Sequence, residues 1–114
     1  MPIPAAAKNR AMEALERFCS RHSRPDLRDL LWYNARLERN AAVICEHRPP
    51  FDGRVEWSEL AVAKFRYNVA DGTWELLCAD RNNKWHIYEW LDPTRSIDTL
   101  LAEVERDPSG IFWG

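Results

Sequence analysis

Three histidines each lie near a cysteine along this 114-residue chain: Cys19-x-x-His22, Cys45-x-His47, and Cys78 with His86. Thiol and imidazole together can bind zinc or make a nucleophile. Zinc asks for four ligands converging tetrahedrally, and no paired C-x-x-C spacing occurs, so buried structural cysteines are the preferred reading and no metal or cofactor is expected. Cys45 and His47 would share one side of an extended run, as in a small hydrolase or thiol enzyme. No third group is placed to orient the imidazole, and no catalytic residue is assigned.

A second constellation is richer in charge. The stretch RNNKWHIYEW (81–90) follows AVAKFRYN (61–68), and together they supply Lys64, Arg66, Lys84 and His86 beside Tyr88 and Trp90. Cations suit phosphates and a flat π-face suits a stacked base. These six residues are therefore the candidate binding set, for an anionic partner such as nucleic acid. The plainer alternative is a solvated sheet face on which long basic side chains lie over aromatics. A third reading packs Leu77, Tyr88 and Trp90 against a protein partner or an identical chain. Arg10, Arg17, Arg21 and Arg24 form another basic stripe that could meet phosphates, although Glu13 and Glu16 among them favour an ordinary solvated helix face.

Composition bounds these readings. Hydrophobic residues at 46% and charged residues at 30% describe a folding chain of one domain, 1–114, able to bury roughly two-thirds of its unfolded surface. No apolar leader and no membrane-length run is present, and three widely spaced cysteines fit a reducing compartment, so a cytoplasmic protein is expected. Residues 1–50 carry nine Lys/Arg against six Asp/Glu, a net +3; residues 51–114 carry seven against twelve, a net −5. A basic footprint over the whole domain is absent, so any nucleic-acid surface must be local.

The elements that would position these groups follow from periodicity. Met12, Leu15, Phe18, Cys19 and His22 predict a helix over 5–22, ending at or before Arg24 because Pro25 follows. LWYNARLERN and AVICEHR predict a hairpin turning near Asn40, and PPFDGRVEWSE (49–59) reads as a loop whose Trp57 returns to the core. Asp71-Gly72 and Asn82-Asn83, taken as two-residue turns, predict a three-stranded meander. That register pairs Val69 with Trp74, Tyr67 with Leu76, Phe65 with Cys78, Cys78 with Ile87 and Asp80 with Trp85. It sends Phe65, Tyr67, Val69, Trp74, Leu76, Cys78, Trp85 and Ile87 to the core and leaves Lys84, His86, Tyr88 and Trp90 outside, unless a one-residue bulge swaps the faces. Ile97, Leu100, Leu101 and Val104 predict a helix over 96–106 with Ser96 as N-cap, and the ending Ile111-Phe112-Trp113-Gly114 should dock on the domain's own core. The fold class is α+β: an antiparallel sheet of about five strands in two hairpin or meander units, with an N-terminal and a C-terminal helix on its apolar face.

Several stretches taken together resemble a family of small bacterial proteins, domain of unknown function 3024. They are Glu46-His47-Arg48-Pro49-Pro50, Val62-Ala63-Lys64-Phe65-Arg66-Tyr67, Trp74-Glu75-Leu76, Asp80-Arg81-Asn82 with Lys84-Trp85-His86 and Tyr88, and Asp107-Pro108-Ser109-Gly110-Ile111-Phe112-Trp113-Gly114. The resemblance spans about residues 30–114 and leaves residues 1–25, the N-terminal helix, outside it. The family pattern usually has Arg-Arg after Glu46 and another residue at Cys78, which weakens any reading of His47 or Cys78 as a family-wide catalytic group. The resemblance brings no activity with it. The expectation is a non-enzymatic binding module, with a protein-interaction or homo-oligomerisation domain and a small Cys/His enzyme as alternatives.

Overall fold

The computed structural model describes residues 3–23, 32–48 and 58–113. Its elements run α1 (Ala5–His22), β1 (Trp32–Leu37), β2 (Ala41–Arg48), β3 (Ser58–Asn68), β4 (Thr73–Ala79), β5 (Trp85–Ile87) and α2 (Ile97–Arg106). The strands form one open antiparallel sheet in the order β1-β2-β3-β4-β5. The α+β class is as expected. Arg24, Pro25 and Trp57 lie outside the described residues.

The two helices cover one face of the sheet. α1 buries Ala11, Ala14, Leu15, Phe18 and Cys19, the i, i+3, i+4, i+7, i+8 stripe of an amphipathic helix. α2 buries Ile97, Leu100, Leu101 and Val104. Against them the sheet turns Ala42, Ile44, Ala63, Phe65, Trp74, Leu76 and Cys78, which form one core cluster with the helices. Both helices run the same way: His22 near the end of α1 bonds Glu105 near the end of α2 at 3.2 Å, while the beginnings of both helices share a cleft.

β2 is buried from Ala41 to Glu46, on both faces. That explains why AAVIC reads as a continuous apolar run where a half-exposed strand would alternate. Between β2 and β3 the register shifts, Ile44 pairing with Ala63 and Cys45 with Ala61, so Val62 is the extra residue of a bulge.

The meander's registers differ from the sequence expectation in two instructive ways. Asn68 pairs with Thr73, Tyr67 with Trp74 and Phe65 with Leu76, so the β3–β4 loop holds four residues, Val69 to Gly72. Asn68 causes this: its side-chain Oδ1 accepts the Ala70 and Asp71 amides and closes a wider turn. The slip is by two residues, and a period-2 element keeps its faces under such a slip, but Val69, expected on the core face, falls in the wider loop and is exposed. At β4–β5, Cys78 pairs with His86 and Ala79 with Trp85, a slip of one. Asp80 and Lys84 close a three-residue loop whose last member, Asn83, adopts φ 62°. An odd loop flips the next strand, so Trp85 and Ile87 turn to the outer face and His86 to the helix side.

α2 ends at Asp107, which adopts the left-handed conformation at φ 42°. Its carboxylate accepts the Phe112 and Trp113 amides at 3.1 and 2.9 Å and folds the tail back, as expected for the final aromatics. The Trp113 indole N–H donates to the Val104 carbonyl at 2.7 Å, and its ring lies 5.4 Å from His22 in stacked geometry.

Candidate functional site

The six candidate binding residues do not form one surface. Lys64 and Arg66 do share the outer sheet face, where β3 alternation places them. Lys64 Nζ sits 3.1 Å from Glu38 and 5.7 Å above the Trp85 ring. Arg66 donates to the Glu75 carboxylate directly across the strand pair, Nε at 3.1 Å. Each cation is thus matched by a carboxylate, which leaves little net field for an external phosphate.

Lys84 and His86 flank the β4–β5 turn. His86 Nε2 lies 2.7 Å from Asp80, whose other oxygen accepts the Asn82 and Lys84 amides. These contacts hold the Asp80 carboxyl below the usual carboxylate range, the bond to His86 being the chief cause. The aromatic pair separates. Tyr88 is 3% exposed and belongs to the core, its hydroxyl donating to Glu103 at 2.7 Å, whereas Trp90 is 81% exposed. Tyr88 was expected outside; the odd turn before β5 reverses it.

Cys45 has no exposed surface, and burial pushes its thiol up to about 11. A thiolate at neutral pH is not available there. His47 stacks on Trp32 at 4.0 Å, and its Nε2 lies 2.8 Å from Asn34 Oδ1, so its ring is engaged by β1 neighbours. All three cysteines are free and buried, and among the described residues no cluster of His, Cys, Asp or Glu could hold a metal ion.

A cleft of about 580 Å³ gathers cations that the sheet face does not. It opens between the first half of α1 and the start of α2, with Trp74 and Ile97 in its buried floor. Arg10 and Arg17 reach it from α1 because they sit seven residues, two helical turns, apart on one stripe. Arg95 reaches it from the opposite wall, just before α2. All three are exposed, and none forms an ion pair within the described residues. Glu13 and Asp98 also line the cleft, so three guanidinium groups face two carboxylates there. The half-buried Tyr67 stands at its edge beside Gly72, where φ is 67° and a Cβ would come within 3.6 Å of the Tyr67 oxygen.

Arg10 and Arg17 are legible in the sequence as part of a basic stripe; Arg95 is not. No local signal marks it, because its role depends on the two helices running in the same direction.

Two helices lying side by side on one face of an open antiparallel sheet define a small α+β domain. The family model described as Domain of unknown function (DUF3024) matches residues 3–114, and the chain belongs to that family. The match takes in α1, beyond the stretch from about residue 30 on which the resemblance rested. No curated protein and no solved structure matches the chain. No helix of the described residues is long and apolar enough to cross a membrane.

Proposed function

We propose that this chain is a non-enzymatic binding module for an anionic partner, nucleic acid being the class its cations suit, and that α1 rather than the outer sheet face makes the principal contact. The observation that supports this is the contrast between Arg10, Arg17 and Arg95, which have no carboxylate partner among the described residues, and Lys64 and Arg66, which do. Arg10, Arg17 and Arg21 follow one stripe over roughly 16 Å of helix, a span that meets about five phosphates of one strand.

The test is binding of short single- and double-stranded oligonucleotides at low and moderate salt. Three such contacts should weaken binding about twentyfold for a single strand and about fortyfold for a duplex between 50 and 200 mM salt. Arg10→Glu/Arg17→Glu should abolish it and Arg66→Glu/Lys84→Glu should leave it largely intact. The reverse pattern would return the site to the sheet face, and absence of wild-type binding would retire the anionic reading.

One observation favours a second reading, a protein-interaction or self-association surface: Trp90 at 81% and Ile87 at 52% exposure stand near the β5 edge of the open sheet. Concentration-dependent sedimentation that disappears in Trp90→Ala would favour it.

A further inference from the structure

We infer that the α1–α2 cleft is a receptor for a single phosphate monoester group whose attached body carries hydroxyl or amino donors. The inference rests on the anion-binding reading of α1 and narrows it to a ligand class. A helix ridge alone tracks a backbone, which presents phosphates in a row. Arg10 and Arg17 on one wall and Arg95 on the other instead converge on one concavity. Guanidinium groups approaching from two sides can surround the oxygens of one terminal phosphate with paired donors.

The volume of about 580 Å³ is that of a small-molecule site, too narrow for a duplex. Glu13 and Asp98 on the same walls disfavour a second bare anion beside the first. They accept hydrogen bonds, and so select a body with donors. Tyr67, whose hydroxyl has no hydrogen-bond partner within the described residues, adds a further donor at the edge. Such a group occurs both on a free phosphorylated metabolite and at the 5′ end of a nucleic-acid strand.

The experiment follows backbone amide shifts of Gly72, Ser96 and Asp98 on titration with inorganic phosphate, ribose 5-phosphate, and one short oligonucleotide with and without a 5′-phosphate. Wild-type protein, Arg95→Ala and, as a control at the distant β4–β5 turn, Arg81→Ala are compared, each first shown to be folded by circular dichroism. Ribose 5-phosphate should bind more tightly than inorganic phosphate, with Arg95→Ala weakening it at least tenfold and Arg81→Ala less than twofold. A 5′-phosphate that tightens strand binding only when Arg95 is present would identify the strand end as a source; binding of ribose 5-phosphate without that preference would identify the free monoester. Equal binding of both strand forms with no small phosphate bound would overturn the inference and leave the broader reading standing. Phosphate binding indifferent to Arg95→Ala would also overturn it, and no binding of any probe would remove both.

Discussion

Tyr88 and Glu103 meet in the interior, where a carboxylate at 8% exposure needs every partner it has. The Tyr88 hydroxyl serves one oxygen and Arg106 the other, at 2.7 Å each. Tyr88→Phe keeps the ring's packing on Phe112 but strips one oxygen of its donor, and should cost about 1–3 kcal/mol in urea denaturation. The same burial has a pH signature. Tyr33 and Tyr88 are pushed up to about 12, in both cases mainly by burial, and Cys19 to about 12 and Cys45 to about 11 for the same reason. The unfolded chain releases these protons near the ordinary values of 9.0 and 10.0, before the folded chain does. Stability should therefore be flat below pH 9 with respect to these groups and fall steadily from pH 9 towards pH 12. Urea midpoints measured across that window check it; a midpoint unchanged to pH 11 would contradict it.

Among the elements, the β4–β5 turn decides the most. Asn83 at φ 62° occupies the position where a three-residue hairpin loop needs a left-handed residue. Asn83→Gly should be neutral or slightly stabilising, whereas Asn83→Val should cost about 1–2 kcal/mol, read from thermal or urea unfolding. The same turn separates what the sequence made legible from what it did not. Helix limits, the strand set and the core face of β3 and β4 were readable, because apolar periodicity survives even the two-residue slip that Asn68 imposes. The outer position of Trp85 and the burial of Tyr88 were not, because Asn82-Asn83 taken as a two-residue turn conceals the contribution of Asp80 to a loop of three. Candidate site residues suffered for the same reason. Sequence alternation correctly put Lys64 and Arg66 on one face, yet it carried no sign of Glu38 on the β1 side, which neutralises Lys64 from across β2.

For the molecule as a whole, Asp107 and the tail it folds are the fastening. Trp113 reaches α2 through the Val104 carbonyl, α1 through His22 and Phe18, and β1 through the edge of Tyr33. Asp107→Ala removes the carboxylate and leaves a residue poorly suited to φ 42°; Asp107→Gly removes the carboxylate but relaxes the backbone. Hydrogen exchange at the Phe112 and Trp113 amides should quicken in both variants, while global stability should fall further in the alanine variant, by about 1 kcal/mol. This fastening also joins segments far apart along the chain. During synthesis at about 5–20 residues per second, α1 precedes α2 and the tail by some 75 residues or more, so its apolar stripe waits on the order of ten seconds for part of its cover. The nascent α1 then exposes Leu15 and Phe18 on a positively charged helix, a form that a chaperone or the ribosome surface meets before the finished sheet does.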